Sequence, residues 1–383
     1  MKRKFLGLVL AATMIASLCA CGAKTEAPAS TETAAPAASV EASVETPAPV
    51  AEAEPAVKKI GVAMPTKDLQ RWNQDGDNMK TQLEAAGYEV DLQYAANDIA
   101  TQVSQIENMI NSGCQALVIA SIDGDSLGTV LDMAKENSIP VIAYDRLIMN
   151  SDAVTYYATF DNYMVGTKQG QYIEEQLGLA AGNGPFNIEL ITGDPGDNNA
   201  RFFFGGAMDV LQKYIDNGQL VVKSGQVDFD TVATANWSTE NAQSRFDAII
   251  AANYADGTKL DAVMASNDST ALGVANSLEA NYVADGSWPI ITGQDCDIAN
   301  VKNMIAGKQA MSIFKDTRTL AAKTVEMVDA IMKGGEAPVN DTKTYDNGTG
   351  IIPSFLCEPV FADVNNYTSL LIDSGYYTAD QLQ

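Results

Sequence analysis

The sequence contains no histidine. That absence removes Ser-His-Asp and Cys-His catalysis and the common histidine-based zinc sites together. Cysteine is scarce: there are five, and Cys19 and Cys21 lie close to the N-terminus. The other three, Cys114, Cys296 and Cys357, are far apart, odd in number and lack a Cys-x-x-Cys spacing. A complete disulfide framework is therefore not expected. Cys114 borders an apolar run and reads as a small buried residue. Basic residues are also few, 24 Lys and Arg against 49 Asp and Glu, for a net charge of −25. Such a chain is a poor partner for nucleic acid or an anionic lipid surface, and solubility is the plainer role of the charge. No Gly-x-x-x-x-Gly-Lys-Ser/Thr or Gly-x-Gly-x-x-Gly follows a strand pattern, so nothing marks a phosphate cradle. Asp123, Gly124 and Asp125 open like a calcium loop but lack the remaining ligands. Neither a metal nor a cofactor is expected.

A run of membrane-spanning length is missing as well. The longest apolar stretch, residues 6–18, follows Lys2, Arg3 and Lys4. It suits a signal-peptide core and falls short of the roughly 20 residues a spanning helix needs. It ends in Leu18, Cys19, Ala20, Cys21 and Gly22, which resembles the bacterial lipobox. On that resemblance residues 1–20 are a removed signal peptide and Cys21 takes a diacylglycerol. Cys19 is the poorer site because the bulky Leu18 precedes it. Residues 22–57 are almost wholly Ala, Pro, Glu, Ser, Thr and Val. They cannot bury enough apolar area to offset their ordering entropy, so 21–57 read as a lipid-bearing disordered tether.

From Lys58 onward the chain has ample core material, and its length suits two lobes. Short apolar runs alternate with amphipathic helical patterns. Residues 60–64, 88–94, 116–120 and 140–144 read as strands. Ile99, Val103, Ile106 and Ile110 share one helical face, as do Leu127, Val130, Leu131 and Ala134. The pattern restarts after Asp161, with strands at 187–191, 220–222, 260–264, 289–292 and 311–314 and helices at 198–214 and 269–280. Such alternation implies an α/β fold of two similar lobes, each a parallel sheet with right-handed crossovers. Open parallel sheets bind ligands beyond the carboxyl ends of their strands, and two facing sheets would enclose a cleft.

The unusual polar and aromatic residues fall at those strand ends. They are Arg71 and Trp72, Asp145 and Arg146, residues 193–199, Trp237, residues 266–268, Gln294 and Asp295, and Lys315. Carboxylates and amides paired with Arg or Lys can both donate to and accept from sugar hydroxyls. An indole can cover the apolar face of a pyranose. Each feature also has a plain alternative. A lone Trp is more often packing, Asp145 and Arg146 could pair with each other, Asn267 and Asp268 could cap a helix, and 193–199 could be a turn. Their joint placement carries the argument.

The combination is specific. Residues 64–67 (Met-Pro-Thr-Lys) with Arg71 and Trp72, 105–109 (Gln-Ile-Glu-Asn-Met), 143–147 (Ala-Tyr-Asp-Arg-Leu), 197–200 (Asp-Asn-Asn-Ala), 266–268, 293–295, 314–318 (Phe-Lys-Asp-Thr-Arg) and 340–345 (Asn-Asp-Thr-Lys-Thr-Tyr) resemble the type I periplasmic sugar-binding proteins. The resemblance is to their multiple-monosaccharide branch, beside the xylose-binding proteins, and covers everything after Lys58. It implies two lobes joined by a three-crossing hinge, lobe one at 58–161 with 316–347 and lobe two at 162–315 with 348–383. It also implies sugar contacts from Arg71, Trp72, Asp145, Arg146, Asp197, Asn199, Trp237, Asn267, Asp295 and Lys315. The expected protein is a monomeric, lipid-anchored, extracytoplasmic clamp, not an enzyme. It would capture a monosaccharide of the xylose, glucose, galactose or arabinose class and hand it to an ABC permease. Alternatives are a sugar sensor docking on a membrane receptor and, further off, a two-carboxylate glycosidase. A repressor is disfavoured because no helix-turn-helix precedes Lys58.

Overall fold

The computed structural model describes residues 57–282 and 287–383. The leader, the lipobox with Cys21 and the tether lie outside the described residues.

Among the described residues, twelve strands form three sheets. The first contains β1 (Lys59–Met64), β2 (Glu89–Tyr94), β3 (Ala116–Ile119), β4 (Val141–Tyr144), β5 (Val154–Phe160) and β11 (Ser354–Cys357), in the order β11-β5-β4-β3-β1-β2. All its pairs are parallel. The second contains β6 (Phe186–Ile191), β7 (Leu220–Val222), β8 (Ala262–Ala265) and β9 (Ile290–Ile291), in the order β7-β6-β8-β9, again parallel. The helices are α1 (Gln70–Ala85), α2 (Ile99–Asn111), α3 (Gly128–Glu136), α4 (Asn162–Leu177), α5 (Asn198–Asp216), α6 (Phe229–Val232), α7 (Thr239–Asn253), α8 (Asp268–Asn281), α9 (Ile298–Ile305) and α10 (Thr317–Met332).

The pleat explains why these runs are apolar throughout. Alternate residues of each central strand feed opposite cores. Ala63, Leu117, Ile119, Val141 and Ala143 pack on α2 and α3. Their neighbours Val62, Ala116, Val118, Ile142 and Tyr144 pack on α1 and α10. The second sheet repeats the plan, with Val263 and Ala265 toward α7 and α8 and Ala262 and Met264 toward α4 and α5. Helices α4 and α5 approach closely over glycines. A Cβ on Gly166 would lie 1.9 Å from the Phe203 carbonyl oxygen, and one on Gly206 would lie 2.2 Å from that of Tyr163.

Three features depart from the sequence reading. Strand β5 and the two C-terminal strands were not expected. Met311–Phe314 forms a strand, β10, but it pairs antiparallel with β12 (Val360–Asp363) as a separate ribbon. A parallel bridge from Gln294 to Ile313 sets that ribbon beside the second sheet. Finally, residues 348–383 do not all join the second half. Ser354–Cys357 pairs in parallel with β5 of the first sheet. Cys114, Cys296 and Cys357 are buried and unbridged.

Candidate functional site

One cavity lies beyond the carboxyl ends of the strands, bounded by residues from both large sheets. All ten residues singled out in the sequence line it, with Leu69, Phe203, Ser269, Gln294 and Asp297.

Each is held by a strand end or a helix start. Arg71 and Trp72 occupy the first turn of α1, after β1. Asp145 and Arg146 follow β4 directly. Asp197 caps α5, its Oδ1 accepting the Asn199 N–H at 3.0 Å. Asn267 caps α8 in a reciprocal capping box with Thr270, so the plain helix-cap reading holds and the same residue also faces the cavity. Asp295 follows β9, and Lys315 follows β10. Strain concentrates here. Asp145, Trp237 and Asp295 have φ of 60°, 54° and 95°, in the left-handed region that non-glycine residues avoid.

The charges form one buried network. Arg71 donates from Nε to Asp75 Oδ2 at 3.0 Å, from Nη2 to Asp145 Oδ2 at 2.8 Å and from Nη1 to Asp295 Oδ1 at 3.2 Å. Lys315 Nζ lies 3.7 Å from Asp145 Oδ2 and 3.3 Å from Asp295 Oδ1. Arg146 Nε lies 3.0 Å from Asp197 Oδ2, and its Nη1 donates to the carbonyls of Ser121 and Ile122. Asp145 and Arg146 therefore do not pair with each other; each reaches a different partner. Burial works against the Asp145 carboxylate, yet Arg71, Lys315 and Arg146 outweigh it and hold its pKa below the ordinary value. Burial dominates at Asp75, whose carboxyl is pushed up to about 6 while Tyr144 donates to it at 2.5 Å.

The aromatics complete the walls. The Trp72 ring has two guanidinium groups near it, Arg71 Cζ at 4.7 Å and Arg146 Cζ at 5.0 Å from its centroid. Trp237 donates from Nε1 to Asp197 Oδ2 at 3.2 Å and meets Phe203 edge-on at 6.1 Å. The indole lies so close to Gly193 that a Cβ there would come within 1.9 Å of it. Buried Trp72 Nε1, Gln294 Oε1 and Asp297 Oδ1 lack a hydrogen-bond partner among the described residues. A polar, aromatic-walled, mostly ion-paired cavity can grip a neutral polyhydroxylated ring from all sides.

Sequence reasoning missed Phe203, Asp75 and Asp297 as site residues. Phe203 stands one helical turn beyond Asn199 and Asp75 one turn beyond Arg71, so the i, i+4 spacing was available as a signal. Asp297 follows Asp295 by two residues, and nothing local distinguishes it.

A family model of the periplasmic binding protein domain matches residues 60–336. The multiple sugar-binding periplasmic receptor ChvE of Rhizobium radiobacter is 52% identical over 85% of this chain and 92% of its own length. The D-xylose-binding periplasmic protein of Escherichia coli is 37% identical over 85% of this chain and 92% of its own. Among solved structures, an ABC transporter solute-binding protein from Clostridium phytofermentans with bound β-D-glucose is 76% identical. It covers 85% of this chain and 100% of its own, with a TM-score of 0.84. With the family model matching well over half of it, and with such relatives, this chain belongs to the periplasmic binding protein family.

Proposed function

We propose that this chain is an extracytoplasmic solute-binding protein that holds one monosaccharide in the cavity and delivers it to an ABC permease. The observation that carries this reading is the convergence of Arg71, Trp72, Asp145, Arg146, Asp197, Asn199, Trp237, Asn267, Asp295 and Lys315 on one buried cavity. Two sugar-named relatives and a glucose-bound structural neighbour support the same ligand class. The ten residues act as ligand contacts, with the carboxylates and amides taking hydroxyl protons and the indoles covering the ring. Catalysis is not part of the reading, because three of the four lining carboxylates, Asp145, Asp197 and Asp295, are paired with cations, which leaves Asp297 alone where a glycosidase needs an acid and a base. A thermal-shift and calorimetric screen with D-glucose, D-galactose, D-xylose and L-arabinose tests it. At least one should bind with one site per chain; no response to any neutral monosaccharide would refute the reading.

The chain works as a monomer, carried on a lipid at Cys21 with residues 22–57 as its tether. The motif around Cys21 supports the anchor. Cys21→Ser is expected to move the protein from the membrane fraction to the soluble one, and retention of that variant with Cys19 intact would contradict it.

A further inference from the structure

The cavity's charges do not balance. Four carboxylates line it, those of Asp145, Asp197, Asp295 and Asp297, against three cations, Arg71, Arg146 and Lys315. Asp145 and Asp295 share Arg71 and Lys315, and Asp197 takes Arg146. Asp297 is the remainder. Its carboxylate forms no ion pair or hydrogen bond with a described residue, and its Oδ1 is buried without a donor. Three residues back, Gln294 is 1% exposed, lines the same cavity and also buries an acceptor, Oε1, without a donor.

A buried acceptor without a donor is costly, and a buried unpaired charge more so. A ligand hydroxyl has one proton to give, whereas an ammonium has three and a charge to match. We propose that Asp297 and Gln294 form a cation-accepting corner, and that the site takes monosaccharides bearing one amino group, in their ammonium form, alongside neutral ones. This rests on the monosaccharide reading above and adds a second ligand class to it.

The corner is tuned for such a switch. Burial first, and Asp295 next, push the Asp297 carboxyl up to about 7, against the pull of Arg71 and Lys315. The other groups facing it are Asp268, which accepts the Asp297 N–H at 2.8 Å, Cys296 and Tyr377. Burial is the largest cause at each, raising all three. At that pH Asp297 is mostly protonated without ligand. An arriving ammonium favours the ionised form, so binding releases a proton. A neutral sugar has no such demand.

The test is calorimetry at pH 6 in two buffers of different ionisation enthalpy. The ligands are D-glucose, D-glucosamine, D-galactosamine, 3-amino-3-deoxy-D-glucose and 6-amino-6-deoxy-D-glucose. At least one amino sugar should bind within tenfold of D-glucose and release close to one proton per site, with D-glucose releasing none. Asp297→Asn should cost that amino sugar at least tenfold more affinity than it costs D-glucose. Glucose binding with all four amino sugars more than tenfold weaker would overturn the corner and leave the parent reading standing. Amino-sugar binding without proton release would also overturn it, and that result needs no variant. An equal loss for both ligands in Asp297→Asn would do the same. Failure of every neutral sugar would instead refute the parent reading.

Discussion

Asp145 shows most directly how the fold and the site share residues. Its backbone is held in the left-handed region, and its carbonyl oxygen accepts from Asn199 Nδ2 at 2.6 Å and Thr159 Oγ1 at 2.9 Å, with the Tyr157 hydroxyl at 2.7 Å. Those bonds fix the main chain, so the carboxylate is aimed without help from its own side chain. Asp145→Ala would leave buried Arg71 and Lys315 short of one partner. Removing one member of a desolvated charged network costs about 2–5 kcal/mol, and the lower figure is about thirtyfold in affinity. Sugar affinity is expected to fall at least that far, by calorimetry. The fold is expected to survive, because Arg71 keeps Asp75 and Asp295 and Lys315 keeps Asp295. A folded variant with near wild-type affinity would remove Asp145 from the site. Asp145 and Arg146 were legible because two opposite charges directly after a buried strand must project past the sheet. Which partners they choose was not legible, since Arg71, Lys315 and Asp197 come from three distant segments.

At the scale of elements, the α4–α5 contact supports the cavity from behind. Asn199 and Phe203 on α5 line the cavity, and the Gly166 position on α4 abuts the Phe203 carbonyl. A methyl group there must displace backbone, which does not yield as a side chain would. Gly166→Ala is expected to destabilise the protein by about 1–3 kcal/mol, as overpacking does, read as a lower denaturation midpoint in urea. Sugar affinity should fall with it, because α5 must shift. An unchanged midpoint would mean that the helices slide apart freely. The strands that sequence could reveal are those buried on both faces, such as β1, β3 and β4. Strand β5 mixes Thr and Tyr into its run, and Ser354–Cys357 and Val360–Asp363 are four residues each. Their pairing is decided by partners about 200 and 50 residues away in sequence, which no local pattern encodes. The place of Ser354–Cys357 in the first sheet was not legible for that reason.

For the whole molecule, buried carboxyls set the response to pH. The Asp75 carboxyl sits at about 6 against an ordinary 3.8, so the folded state holds its proton more tightly than the unfolded chain. Stability then falls as pH rises through that window and levels off above it. Between pH 8 and pH 5 Asp75 alone restores about 1.4 kcal/mol. Burial raises Asp197 and Glu189 in the same direction. The sugar-free protein should therefore melt at a higher temperature at pH 5 than at pH 8, with a smaller difference in Asp75→Asn. The opposite order would contradict the assignment.

On the proposed function, one sugar is enclosed between the elements of the two large sheets. Arg71 reaches Asp295, Arg146 reaches Asp197, the Gly124 N–H donates to the Gly196 carbonyl at 3.1 Å, and Gln70 Nε2 donates to the Tyr377 hydroxyl at 2.6 Å. These contacts tie together segments on either side of the cavity. A clamp that parts these contacts without sugar has an open form in its sugar-free ensemble, which sugar depletes. Small-angle X-ray scattering with and without the tightest-binding monosaccharide measures this directly. The account predicts a smaller radius of gyration at saturation, and superimposable profiles would contradict it.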